Sequence, residues 1–270
     1  MMPDLQAMGD QLGLAGKTIL VVGGGAGIGE RTALRLAAAG CNICVVDVAE
    51  DRATAVVEQL RKLGVKAASV VGDVTDPETV GKVVDEAWEA IGPLDGCVTI
   101  VGMSHQAPLL DMPLDMWTLD FNLNIRHVFL LFQAVAKRMV EAGRPGALAC
   151  VTSVSGRQAA PNHAAYGAAK AGLAQLVKSM AIEWAPYDIR VNAVGPGTII
   201  TPRLPDTPQR IEEVRQSGIP MRRRGTADEI AKCLLFMMSD LASYVTGHNL
   251  MADGGWMAAN LKNRPGWRGP

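Results

Sequence analysis

Tyr166 and Lys170 lie four residues apart in Tyr166-Gly167-Ala168-Ala169-Lys170. That spacing puts both side chains on one face of a helix. A phenol titrates near pH ~10, so a lone tyrosine exchanges protons poorly at neutral pH. An ammonium alongside favours the phenolate and lowers that value, which makes the pair a candidate proton-transfer device. Ser153 stands in Val151-Thr152-Ser153-Val154-Ser155-Gly156, thirteen residues before Tyr166 and just past an apolar run that reads as a strand. Carboxyl ends of strands in open α/β sheets are where ligands bind. Asn124 lies in Phe121-Asn122-Leu123-Asn124-Ile125, inside an otherwise apolar helical stretch. Taken alone it reads as a polar side chain bonded locally.

A glycine-rich turn, Gly23-Gly24-Gly25-Ala26-Gly27-Ile28-Gly29, follows the first apolar run and opens a helix. In the register G-x-x-x-G-x-G the key positions are Gly23, Gly27 and Gly29. Such a turn lets backbone N–H groups approach a pyrophosphate, and the helix N-terminus adds favourable partial charge. The next apolar run ends at Asp47, 18 residues after Gly29. A carboxylate there accepts hydrogen bonds from both adenosine ribose hydroxyls and repels a 2′-phosphate. Val48 and Ala49 supply no cation, and neither do Gly24, Gly25 and Ala26, so the expected cofactor is NAD(H) rather than NADP(H). A helix N-cap is the competing role for Asp47. Asp73, in Gly72-Asp73-Val74, is placed to bond an adenine amino group, although an ordinary loop carboxylate reads equally well.

These residues need a frame, and the hydrophobic pattern supplies one. Lys17–Gly23, Asn42–Asp47, Ala67–Gly72, Gly96–Val101, Ala147–Thr152, Arg190–Val194 and Asn249–Ala252 read as strands. They are continuous Val/Ile/Leu runs rather than alternating ones, as in a parallel sheet buried on both faces. Helices are expected over Gly27–Ala39, Glu50–Leu63, Asp76–Ile91 and His163–Ala185, and over Ala227–Ser239. Asp76 is the expected N-cap of its helix, with Pro77 at the first helical position. Pro113–Ala142 reads as a long helical stretch with a break near its start. The alternation predicts one α/β domain spanning residues 1–270: a doubly wound parallel sheet of about seven strands, Rossmann-like, with helices on both faces. Pro196–Thr226 is the least regular segment and reads as a substrate lid, with a surface excursion as the alternative.

Composition narrows the partners. The chain has 270 residues, a formal net charge of −1 and 49% hydrophobic residues, a soluble globular profile without a nucleic-acid-binding stripe. The single basic run, Arg222-Arg223-Arg224, reads as a solvated loop face, with an anion or substrate contact as the alternative. Five scattered cysteines, with Cys41 and Cys44 at redox-pair spacing but inside an apolar run, read as buried thiols in a reducing cytoplasm. No secretory leader or membrane-spanning stretch is apparent, and no His/Cys/Asp cluster has metal spacing.

Taken together, these residues closely resemble the short-chain dehydrogenase/reductase family over about Gly16 to Trp256. The resemblance rests on the glycine loop, Asp73, Asn124, Ser153, Tyr166 with Lys170, Pro196-Gly197 and Asp253-Gly254-Gly255. It implies a catalytic tetrad of Asn124, Ser153, Tyr166 and Lys170. Asn124 is preferred over Asn122 because it falls seven residues after Trp117. Tyr166 is then the general acid for ketone reduction and the base for alcohol oxidation. Lys170 lowers its pKa and bonds the nicotinamide ribose, Ser153 holds the substrate oxygen, and Asn124 anchors a water linking Lys170 to solvent. Lowering the phenol by ~2–3 units takes roughly 3–4 kcal/mol. The implied cofactor set is Gly23, Gly27, Ile28, Gly29, Asp47, Asp73, Val74, Gly102, Tyr166, Lys170, Pro196, Gly197, Ile199 and Thr201. There are two departures from the family pattern. Val22 replaces the usual Thr before the glycines, and Thr99-Ile100-Val101-Gly102 replaces Asn-Asn-Ala-Gly.

The loops Met103–Gln106 and Arg157–His163 should line the pocket mouth. Met103 suits a bulky, mostly apolar alcohol or ketone, alicyclic or steroid-like, and His105 is a candidate to hold a distal polar group, although as lone residues His105 and His163 read first as ordinary loop polar groups. The resemblance also implies a homotetramer or homodimer formed through the two long helices and the last strand. The tail Leu261–Pro270 is expected to dock on a neighbour or stay disordered. A non-catalytic NAD(H)-binding regulator on the same fold is the competing function.

Overall fold

The computed structural model describes residues 11–258. The expected tail Leu261–Pro270 lies outside them. Seven parallel strands form one sheet: β1 (Thr18–Val22), β2 (Asn42–Asp47), β3 (Ala67–Val71), β4 (Gly96–Thr99), β5 (Gly146–Val151), β6 (Ile189–Pro196) and, last in the chain, β9 (Asn249–Ala252). Their order is β3-β2-β1-β4-β5-β6-β9. The expected doubly wound sheet is therefore present with the expected number of strands.

The central strands are apolar throughout because both faces are covered. Leu20, Val22, Cys44 and Val46 pack with Leu131, Phe132 and Leu173 on one face. Ile19, Val21, Ile43 and Val45 pack with Leu36, Leu60, Leu234 and Met237 on the other. Helices α3 (Pro77–Ile91), α5 (His127–Glu141) and α6 (Ala164–Trp184) cover the first face. Helices α1 (Gly27–Ala38), α2 (Glu50–Lys62) and α8 (Ala227–Met238) cover the second. Burial of this kind contributes roughly 25 cal/mol per Å² of apolar surface.

The strand order reverses beside β1: β2 flanks it on one side and β4 on the other. A crevice opens at such a switch point, above the carboxyl ends of the strands. Register aligns those ends, with Val22 opposite both Val46 and Thr99, and Val151 opposite Val194. The glycine loop, the loop after β4 and Ser153 thus leave the sheet at one rim.

Two segments differ from expectation. Pro113–Ala142 is helical throughout, but a π-turn at Asn122–Arg126 joins α4 (Leu114–Phe121) to α5. The expected break is this wide turn, and the chain direction is kept. Pro196–Thr226 is more regular than its composition predicts. It contains short strands β7 (Ile199–Ile200) and β8 (Gly225–Thr226), paired in parallel, and helix α7 (Pro208–Gln216) capped by Thr207. Only Val214 of α7 is buried, so the helix carries no apolar stripe for a periodicity argument to find. Asp76 caps α3 as expected, accepting from the Glu78 N–H, with Pro77 next in the chain.

Candidate active site

The glycine loop is shaped by backbone needs. Gly23 and Gly27 have φ of +75° and +60°, conformations that side-chain-bearing residues rarely adopt. A Cβ on Gly29 would lie 1.9 Å from the Gly23 carbonyl oxygen, so only glycine lets α1 start this close to the strand. The N-cap of α1 is Ala26, which offers no side-chain acceptor, and the first-turn amides stay open to an anion. Ile28 follows Gly27 in that first turn. A cofactor pyrophosphate fits these donors.

Asp47 ends β2 beside this loop. Its Oδ2 accepts from the Gly25 N–H at 3.0 Å and its Oδ1 from the Ala49 N–H at 3.1 Å. Arg52, in the first turns of α2, donates to Oδ1 at 2.6 Å. Burial works against the Asp47 charge, but the Arg52 guanidinium and the two amides outweigh it and hold the carboxyl below its ordinary range. Val48, Ala49, Gly24, Gly25 and Ala26 supply no cation, as expected from the sequence, but the helix brings Arg52, five positions on, back to Asp47. Asp73 is exposed and accepts from the N–H and hydroxyl of Thr75, and Val74 beside it is buried.

On the other side of the switch point Gly102 sits against two of the candidate catalytic groups. A Cβ there would lie 2.9 Å from Asn124 Oδ1 and 3.3 Å from Lys170 Nζ. Asn124 comes from the π-turn, a geometry that often marks functional positions because the wide turn pushes one side chain inward. Its Nδ2 donates to the carbonyls of Met103 at 2.7 Å and Asp120 at 2.8 Å. Its buried Oδ1 has no hydrogen-bond partner within the protein. Such an orphan in a crevice fits a ligand or a bridging molecule.

Ser153 leaves β5 in an extended conformation and caps the 3₁₀ turn Val154–Gly156, accepting from the Ser155 N–H at 3.1 Å. That turn is pressed against α6, since a Cβ on Gly156 would meet the Lys170 carbonyl carbon at 2.8 Å. Ser153, Tyr166 and Lys170 are drawn together by this contact. Lys170 Nζ lies 5.7 Å from the Tyr166 ring centroid and donates to the Val151 carbonyl at 2.7 Å.

Electrostatics here depart from the simple expectation. Burial pushes the Tyr166 phenol above its ordinary value; a hydrogen bond with Ser153 draws it back, and the Asp120 charge pushes it further up. The Lys170 amine is pushed down to about 8 by burial, partly opposed by the neighbouring Cys150. Lys170 in its fold-imposed position therefore does not by itself acidify Tyr166, because desolvation of the phenol is the larger effect.

The fourth-strand departure has a structural answer. Thr99 is buried, and its hydroxyl meets His127 Nε2 at 3.2 Å, tying β4 to α5. Burial, reinforced by the Lys170 charge, pushes His127 down to about 3, so its ring stays neutral. Val101 closes against the glycine loop, with its Cγ2 3.2 Å from where a Gly23 Cβ would stand.

Pro196 and Gly197 end β6, where the Gly197 N–H donates to the Ala252 carbonyl at 3.1 Å. Ile199 is buried, and Thr201 approaches the glycine loop, its Cβ 3.9 Å from a Gly27 Cβ position. Arg224 pins this excursion from within. It is buried, and it donates to the carbonyls of Ile199, Leu204 and Pro205 and to the Asp206 carboxylate. The basic run is thus not simply a solvated face: Arg224 is internal, and Arg223 pairs with Glu229.

Among the described residues no group of His, Cys, Asp and Glu could hold a metal ion, and no helix is long and apolar enough to cross a membrane. Cys44, Cys97, Cys150 and Cys233 are free thiols, and Cys41, Cys44, Cys97 and Cys150 are buried. Burial pushes the Cys44 thiol up to about 12, which rules out a reactive thiolate at that position.

Residues 23–257 match the family model described as Enoyl-(Acyl carrier protein) reductase. An L-rhamnose 1-dehydrogenase (NAD(P)(+)) of Sphingomonas is 35% identical over 92% of this chain and 99% of its own length. The chain belongs to the short-chain dehydrogenase/reductase family. Solved members superpose closely. A 7 alpha-hydroxysteroid dehydrogenase complexed with NADH and 7-oxo glycochenodeoxycholic acid has a TM-score of 0.86 at 34% identity, covering 91% of this chain and 96% of that one. A structure described as an NAD(P) dependent gluconate 5-dehydrogenase from Beutenbergia cavernae, with NADP at low occupancy, has a TM-score of 0.85 at 31% identity. That match covers 92% of this chain and 100% of that one. This short-chain dehydrogenase/reductase is an oxidoreductase acting on CH–OH groups with a nicotinamide cofactor. Nothing among these relatives supports the alternative of a non-catalytic regulator.

Proposed function

We propose that the chain interconverts a secondary alcohol and its ketone with NAD(H), using Asn124, Ser153, Tyr166 and Lys170. The observation that carries this reading is the meeting of three side chains at one rim: Ser153 near enough to draw the Tyr166 phenol down, with the Lys170 amine 5.7 Å from the Tyr166 ring. Bound NAD(H) supplies the hydride and, when oxidised, a positive charge beside the reacting carbon.

In ketone reduction the Tyr166 hydroxyl gives its proton to the carbonyl oxygen, and the Ser153 hydroxyl donates to that same oxygen as charge develops on it. Oxidation reverses both roles. Lys170 keeps one N–H on Val151 and has two left, for the cofactor ribose and for a proton path toward Asn124 Oδ1. The cofactor would lie along Gly23, Gly27, Ile28 and Gly29, then Asp47, Asp73, Val74 and Gly102. Pro196, Gly197, Ile199 and Thr201 would flank the nicotinamide. Asp47 favours NAD over NADP, since its charge opposes a 2′-phosphate even with Arg52 beside it.

A bulky substrate fits the exposed Met103 at the crevice mouth, with residues 196–226 as the segment that would cover it. Exposed Leu114, Phe129 and Ile182 on α4, α5 and α6, with β9 as an unpaired sheet edge, favour a homotetramer or homodimer. The buried free thiols of Cys44, Cys97 and Cys150 agree with a cytoplasmic setting. Initial rates of reduced-cofactor formation, measured on a panel of secondary alcohols for wild type and Tyr166→Phe, test the reading. Turnover by wild type and loss in the variant supports it; equal rates reject it.

A further inference from the structure

Three buried polar atoms in this crevice lack a hydrogen-bond partner in the protein: Ser104 Oγ, Asp120 Oδ2 and Asn124 Oδ1. The proposed chemistry uses only the last. Asp120 occupies the apolar side of α4, one helical turn before Asn124, and is fully buried. Its Oδ1 meets His105 Nδ1 at 2.7 Å and accepts from the His105 backbone N–H at 3.3 Å. The His105 side chain is 28% exposed while Asp120 is sealed behind it. A buried carboxylate is costly unless partnered, and this one is partnered by the imidazole and backbone N–H of His105 on one oxygen and by nothing in the protein on the other.

The loop that carries His105 is fastened to the reaction site at both ends. Its start is held by Asn124, which donates to the Met103 carbonyl. Its end crosses to the segment leading into Tyr166, where the Ala107 N–H donates to the Asn162 carbonyl at 3.2 Å and Gln106 meets His163 at 3.3 Å. The His163 ring is 6.3 Å from that of Tyr166. Asp120 is also close enough for its charge to act on Tyr166.

We propose that His105, oriented by Asp120, receives a second hydroxyl group of the substrate, so that the preferred substrates are diols or polyols rather than simple alcohols. Deepening the function proposed above, this rests on Tyr166 acting at the reacting carbinol. Asp120 fixes the imidazole so that Nδ1 faces inward and Nε2 is the ring nitrogen left for a ligand. A carboxylate or phosphate on the substrate would meet the buried Asp120 charge, whereas a neutral hydroxyl can donate to or accept from the ring. A site that expects a hydroxyl discriminates strongly against analogues lacking it, because its own polar groups are then left unpaired. His105 is thereby a specificity-determining residue, and Asp120 a positioning residue acting through it.

The test compares kcat/KM for cyclohexanol with kcat/KM for 1,2-, 1,3- and 1,4-cyclohexanediol, in wild type, His105→Phe and Asp120→Asn, each checked for folding by thermal denaturation. Wild type should favour the best diol by about tenfold or more, the size of one lost hydrogen bond. Both variants should lower that ratio toward one through KM for the diol, with His105→Phe, at the more exposed position, the variant expected to fold in either case. A wild-type ratio near one, or a ratio unchanged in His105→Phe, overturns the subsite while leaving the dehydrogenase reading intact. A folded wild type that oxidises none of the four alcohols with either nicotinamide cofactor overturns both.

Discussion

Lys170 donates to the carbonyl of Val151 at 2.7 Å, so the amine is tied to the end of β5 rather than to the phenol of Tyr166. The lysine reaches the tyrosine only across 5.7 Å to the ring, and burial of the phenol wins over that distant charge. Tyr166→Phe is expected to lower kcat by roughly 10²–10⁴, the range for a lost general acid/base, while cofactor affinity changes little. Cofactor titration by fluorescence alongside steady-state rates checks this; retained turnover would remove Tyr166 from its assigned role.

Lys170 also has a cost in folding. Its amine is charged at pH 7 in the unfolded chain, where it has its ordinary value near 10.5, and burial pulls it to about 8 in the fold. Below pH 8 it is charged in both states, and the burial penalty is present in full, about 3 kcal/mol for a shift of this size. Between pH 8 and 10.5 the folded form sheds a proton that the unfolded form keeps, and the penalty fades. Lys170→Met should therefore be inactive yet at least as stable as wild type at pH 7, with its advantage shrinking as pH rises through that window. Urea unfolding of both proteins at pH 7 and pH 10 measures the difference; an advantage that grows with pH would contradict it.

The same contrast between local and tertiary effects explains what was legible in the sequence. Strands β1, β2, β4 and β5 are buried on both faces, so their positions were visible as unbroken apolar runs. Ser153 stands out in the sequence at a strand end and Tyr166 with Lys170 on one helix face, whereas Asn124 is singled out only by the family resemblance. The π-turn at Asn122–Arg126 was visible only as an irregularity, since no composition rule marks it. Arg52 and Asp120 were missed, and Arg224 was read with its neighbours as a solvated loop face although it is buried. Each acts on a group brought near by folding: Asp47 across a strand–helix turn, His105 across fifteen residues, and Ile199 across twenty-five. A charged residue in an apolar setting, as Asp120 is in Leu119-Asp120-Phe121, was the one signal available for these.

Cofactor choice should turn on Asp47 and Arg52 together. The Arg52 guanidinium is held by Asp47 at 2.6 Å, so the carboxylate both opposes a 2′-phosphate and occupies the nearest cation. Asp47→Ser removes both effects at once. It is expected to lower the NAD-over-NADP ratio of kcat/KM by about tenfold to a hundredfold, a few kcal/mol at most. Adding Arg52→Ala should take back part of the gain for NADP, because the freed guanidinium is what the 2′-phosphate would meet. Measuring kcat/KM for both cofactors in the three proteins decides it, and a double variant that uses NADP as well as the single one would show Arg52 to be a bystander.

Arg224 is expected to govern the excursion over the site rather than the sheet beneath it. Its side chain is 2% exposed, and its Asp206 partner 35% exposed. Its other bonds go to the carbonyls of Ile199, Leu204 and Pro205, all in the excursion itself. Helix α7 buries only Val214, so beside Arg224 the segment is held chiefly by the short β7–β8 pairing and the buried Ile199 and Ile219. Arg224→Met keeps the side-chain length but abandons those acceptors, at about 1–3 kcal/mol for each one left buried and unpaired. The loss falls on local opening, because the acceptors lie within residues 199–206 and only Ile199 among them reaches an apolar layer of the sheet. Limited proteolysis should then cut within residues 203–218 at least tenfold faster, with KM for cofactor raised more than kcat is lowered, while the main thermal transition moves by only a few degrees. A uniform loss of stability with unchanged cleavage sites would instead make Arg224 part of the global fold.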